Sequence, residues 1–110
     1  MADASAQPLL VFSTTPDMDA AERLATGLVE AHLAACVNCL PGATSIYRWE
    51  GRIERASEVL LVIKTTAACW EELQAHLAAH HPYSVPECVA LAPAAVERRY
   101  LAWLREEVSR

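Results

Sequence analysis

Two adjacent histidines, His80 and His81, stand just before Pro82. Neutral imidazole nitrogen binds copper, zinc and nickel well. Neighbouring residues on an α-helix diverge by about 100°, so the two rings converge on one ion only if the helix has ended. His81 precedes a proline and therefore avoids the α region, which puts the helix end there. His76 lies one turn before His80, and Glu72 one turn before His76, so this stripe is a second place for a surface metal ion. The plainer alternative is a solvated helix end, where histidine is favoured by the helix dipole. His32 falls on an apolar stripe and reads as a packing residue.

Cys36-Val-Asn-Cys39 has the spacing of a metal or redox pair. On a strand, however, residues three apart point to opposite faces, so chelation there needs a bulge or turn. A redox pair also belongs at a helix N-terminus, which stabilises the thiolate. No second cysteine pair completes a tetrahedral zinc site. The cysteines therefore read as small buried hydrophobes.

Lys64 is the only lysine beside eight arginines, and it directly follows the apolar run Val59–Ile63. It emerges at a strand end. Lys64, Tyr83 and Glu87 could line one inter-subunit cleft with Trp49 or Glu50. Ammonium, phenol and carboxylate together suit a small polar or anionic ligand. The competing reading is a structural Lys64–Glu87 ion pair at a subunit interface.

Catalysis is not expected. There are only three glycines and no glycine-rich loop after a strand to cradle phosphate. Nor is there a G-x-S-x-G or H-E-x-x-H pattern. A net charge of −5 argues against nucleic acid or an anionic membrane as partner. No apolar run approaches the ~18 residues of a membrane span. The first twenty residues lack a basic secretory segment, so a cytosolic protein with free thiols is expected.

The elements that must carry these residues follow from periodicity. With 54% hydrophobic and 21% charged residues, the chain can bury a core as one domain. Residues 1–7 read as a flexible tail and 8–110 as the domain. Pro8–Thr15 reads as a buried strand. A helix follows, capped at Asp19 with Glu22, or else at Thr15 or Asp17; Ala21, Leu24, Leu28, His32 and Leu33 share its apolar face. Cys36–Glu50 and Ile53–Thr66 form a hairpin, with a bend near Pro41-Gly42 and a turn at Gly51. Val59–Ile63 should be buried on both faces. Thr66 can cap a helix over Ala67–His80. Cys88–Ala92 is a short strand, and a last helix covers about Val96–Val108. The order β-α-β-β-α-β followed by α predicts an α+β, ferredoxin-like fold with an antiparallel sheet.

The hairpin also predicts assembly. Fourteen residues at ~3.3 Å each span roughly 46 Å. A compact domain of this length is only ~34 Å across. The hairpin must overhang its core, and an overhanging two-stranded ribbon is marginal in water unless a second subunit pairs with it.

Five segments in order resemble the CutA divalent-cation-tolerance family. They are Leu33–Asn38, Pro41–Gly51, Lys64–Thr66, His80–Glu87 and Tyr100–Leu104. The resemblance implies a ferredoxin-like fold, a homotrimer shaped like the PII signalling proteins, and a link to metal tolerance and copper binding. The functions it leaves open are divalent-metal binding, PII-like signalling through a small ligand, and a purely structural trimer. Two departures stand out. Ser13 occupies a position where some members carry a cysteine proposed as a metal ligand. Ala94–Arg98 also lacks the glycine often found before the last helix, which implies a different turn or an earlier helix start.

Overall fold

The computed structural model describes residues 4–108. Its elements are β1 (Pro8–Thr15), α1 (Met18–Glu30), β2 (Cys36–Trp49), β3 (Arg52–Thr66), α2 (Trp70–His80), β4 (Val89–Leu91) and α3 (Arg98–Val108). The sheet order is β2-β3-β1-β4, and every neighbouring pair is antiparallel. This is the expected α+β arrangement with α3 added.

Alternation along the strands builds the core. Val11, Ser13 and Thr15 of β1 and Val59, Leu61, Ile63 and Thr65 of β3 are buried on one sheet face. Ala21, Leu24 and Leu28 of α1, with Leu73 and Leu77 of α2, pack there. The opposite face is not closed. Leu60 and Val62 remain half-buried, so the expected burial of Val59–Ile63 on both faces is met on one. α1 and α2 cover that first face; on the other, α3 reaches only the end of the sheet, where Tyr100 contacts Cys36. That open face also carries Leu40, Val89 and Leu91, each about half exposed.

Local chemistry sets the element ends. Asp17, not Asp19, caps α1: its carboxylate accepts from the Ala20 N–H at 2.8 Å. α1 stops at Glu30, and His32 adopts a left-handed φ of 59°. His32 is therefore exposed instead of packed on the stripe, with Nδ1 2.9 Å from the Glu107 carbonyl oxygen. Thr66 makes no capping bond; a 3-10 turn at Ala67–Cys69 precedes α2. The last helix starts later than expected. Glu97 caps it, its carboxylate accepting from the N–H groups of Arg99 and Tyr100 at 3.1 Å each. Those two bonds hold the Glu97 carboxyl below its usual range.

Residues 4–7 do not trail away from the domain. Ala4–Ala6 form a 3-10 turn, Gln7 O accepts from the Ala67 N–H at 2.9 Å, and the Arg105 side chain donates to Ala6 O at 3.0 Å. Residues 1–3 of the expected tail lie outside the described residues, as do 109 and 110.

The hairpin of β2 and β3 is the longest feature. It bulges between Leu40 and Ala43 and turns at Glu50-Gly51, where both φ angles are positive, 51° and 80°. The molecule measures 48 × 26 × 23 Å, and the long axis matches the expected overhang.

Candidate functional site

The histidines separate into two environments. His80 is exposed at the end of α2, and its ring stacks obliquely on His76, with centroids 4.4 Å apart. His81 is 8% exposed and turns the other way. Its Nε2 lies 2.7 Å from the Thr14 carbonyl oxygen, and its Nδ1 accepts from the Tyr83 N–H at 3.0 Å. Those partners fix the tautomer with the proton on Nε2 and leave neither nitrogen free. The structure thus brings His80 to His76 and not to His81. The helix does end at His80, but the extended backbone of His81, at ψ 140°, carries its ring toward β1.

His76 faces a hollow of about 240 Å³, lined by Arg23, Gly27, His80 and Pro82 among others. A Cβ on Gly27 would lie 3.1 Å from His76 Nε2, so the glycine makes room for this ring. Burial, and then the neighbouring His80, hold His76 below the ordinary histidine range and favour its ligand form.

Cys36 and Cys39 point to opposite faces, as strand alternation requires. Cys36 pairs with Lys64 on the open face and Cys39 with Leu61 on the helix face. Lys64 Nζ lies 3.6 Å from Cys36 Sγ and donates to Asn38 Oδ1. Within one chain Lys64 therefore stands away from Glu87. Six residues of extended β3 separate Lys64 from Glu58, about 20 Å, which removes the lysine from the cleft described next. Ser13 is fully buried under the helices, and its Oγ has no hydrogen-bond partner.

The main cleft, about 810 Å³, opens where the hairpin runs past the end of β1 and the segment 82–87 folds against it. Ser45, Tyr47 and Trp49 line it from alternate positions of β2, hence from one face. Glu58 of β3 and Tyr83, Val85 and Glu87 of the segment complete most of the wall. Tyr83 donates its hydroxyl to Glu58 Oε2 at 2.7 Å. Burial first, and that bond second, push the Tyr83 hydroxyl well above its ordinary range. Of the residues expected at an inter-subunit cleft, Trp49, Tyr83 and Glu87 line this one within a single chain. Glu50 sits in the hairpin turn and Lys64 near the far end of β3, and neither lines it. Sequence reading missed Glu58 as a site residue. Its signal was a lone carboxylate directly before the apolar run Val59–Ile63.

Residues 9–107 match the pattern of the CutA1 divalent ion tolerance protein family. The "Divalent-cation tolerance protein CutA" of Thermus thermophilus is 50% identical over 97 residues, covering 88% of this chain and 94% of that protein. The crystal structure of CutA from Xylella fastidiosa superposes with a TM-score of 0.91 at 43% identity, covering 94% of this chain and 99% of that one. A structure described as the periplasmic divalent cation tolerance protein CutA of Archaeoglobus fulgidus superposes with a TM-score of 0.90 at 34% identity. It covers 93% of this chain and 99% of that one.

Proposed function

Because the chain belongs to the CutA1 divalent ion tolerance protein family, we propose that it acts in divalent-cation tolerance as a homotrimer that binds the metal, copper foremost. The observation that carries the metal reading is the His76–His80 pair: two imidazoles one helical turn apart, with rings 4.4 Å from centroid to centroid. Copper heads the order of affinity for such nitrogen donors. Among the described residues no group of three or more His, Cys, Asp or Glu is arranged to hold an ion. The site therefore rests on two nitrogens and water, and the nearby Arg23 weakens it further. That chemistry suits capture and release more than storage. Copper titration followed by calorimetry tests it. His76→Ala or His80→Ala should abolish binding, and His81→Ala should not. Undiminished copper binding by the His76→Ala, His80→Ala double variant overturns the assignment.

The trimer is supported by the open sheet face with Leu40, Val89 and Leu91, and by the overhanging hairpin with Ile46 and Ile53 about two-thirds exposed. A monomer with those surfaces would aggregate. Light scattering should give three times the 12.0 kDa chain mass. A stable monomer would refute the assembly. Four unpaired cysteines support a reducing compartment such as the cytosol. No helix among the described residues is long and apolar enough to cross a membrane. The reading is of a binding protein, not a catalyst; the buried His81 has both nitrogens committed and offers no base.

The main cleft favours a second reading, a PII-like trimer that binds a small ligand. Its volume and its mix of aromatic and polar walls are those of ligand sites.

A further inference from the structure

We propose that the cleft between the hairpin and the segment 82–87 binds a small organic cation, an amine or a quaternary ammonium. The inference rests on the second reading above and reverses the charge of the ligand expected from the sequence.

The wall contains two carboxylates, Glu58 and Glu87, and no Lys, Arg or His. Glu58 is 8% exposed, and Tyr83 is the only hydrogen-bond donor to it among the described residues. No cationic side chain pairs with it there: the one ion pair among the described residues is the exposed Arg99–Glu97 contact. A buried carboxylate without a cation is costly, and a bound cation would offset that cost. The nearest basic residue on the same hairpin face is Arg52, opposite Trp49 at the tip and outside the lining.

The remaining walls choose between kinds of cation. Tyr47, Trp49 and Tyr83 bring aromatic rings to the same cleft. Ring faces attract ammonium groups, most strongly when water is displaced. A hard metal ion takes oxygen ligands and would leave those rings unused. Apolar Ile46 and Val85 suit the carbon substituents of an organic cation. A cleft of about 810 Å³ is large enough for a molecule of several carbons.

Calorimetry on the assembled protein tests this with choline and butylamine. Their neutral counterparts are 3,3-dimethylbutan-1-ol and butan-1-ol, and isovalerate is the anionic control. The cations should bind at least about tenfold tighter than the neutral counterparts. Glu87→Gln and Trp49→Ala should each weaken the cations about tenfold, while Glu71→Gln, on the exposed side of α2, leaves them unchanged. Equal binding of neutral or anionic probes would overturn the cation and leave a ligand cleft standing. If no probe binds, both readings fail. If in addition Glu87→Gln loosens the assembly, the cleft belongs to a basic side chain of a neighbouring copy. Cation binding unaltered in both variants would also overturn the assignment.

Discussion

The hydroxyl of Tyr83 donates to Glu58 Oε2 across 2.7 Å, tying the segment after α2 to the middle of the long hairpin. This contact joins elements 25 residues apart in sequence and closes the base of the main cleft.

Tyr83→Phe should destabilise the fold by about 1–3 kcal/mol, because it leaves a buried carboxylate without its donor. Urea unfolding measures it. The pH dependence has a definite sign. The folded chain holds the Tyr83 proton more tightly than the unfolded chain does. This contribution is whole below the ordinary tyrosine value of about 10 and is lost as pH rises through the higher folded value. Tyr83→Phe should remove that alkaline loss. A variant as stable as the parent would mean that the bond is worth nothing.

His76 works in the opposite direction. Its folded value is depressed, so its contribution is present above the ordinary ~6.5 and is lost as pH falls below it. Stability measured from about pH 7.5 down to about pH 5.5 should decline, and His76→Gln should flatten that part of the slope. Copper binding should weaken over the same range, since a protonated ring is no ligand.

Gly27→Ala separates stability from metal binding. Alanine is the better helix former by about 1 kcal/mol. Its Cβ would meet His76 Nε2 at 3.1 Å, and the imidazole must move a few tenths of an ångström. The ring lies at the end of a side chain on a half-buried residue and can give way. We expect a higher melting temperature with weaker copper binding. Loss of stability would show that the ring is fixed.

Ser13→Ala should stabilise by about 1 kcal/mol, since the buried Oγ has no partner and the methyl keeps most of the volume. Differential scanning calorimetry reads this directly; a lower melting temperature would mean that the hydroxyl has a partner, such as a buried water.

At the hairpin tip, Glu50 and Gly51 both have positive φ, the geometry of a two-residue type I′ turn. Asparagine tolerates that conformation better than glutamate. Glu50→Asn should add about 0.5 kcal/mol, and Gly51→Ala should cost about 1 kcal/mol. Thermal unfolding of both variants checks the pair, and an opposite order would contradict the turn.

The fold was legible because its signals are local. Continuous apolar runs, the Pro41-Gly42 interruption and the Gly51 turn give the strands, and three-and-four spacing gives the helices. The hairpin length even gave the 48 Å long axis, because rise per residue is nearly constant. Strand alternation likewise separates Cys36 from Cys39. The sites were legible only in part. Trp49, Tyr83 and Glu87 line one cleft within a single chain. Within that chain Lys64 lies toward the other end of β3, because sequence order shows that a lysine ends a strand but not which end faces the cleft. His80 and His81 diverge because one ψ angle after the last helical residue sends the second ring to Thr14. Glu58 becomes a site residue only when the segment 82–87 folds back over the sheet. The sequence alone determined element type, order and length, since these depend on neighbours along the chain. Tertiary structure decided the charge of the cleft and which imidazoles pair, because both depend on contacts between residues far apart in the chain.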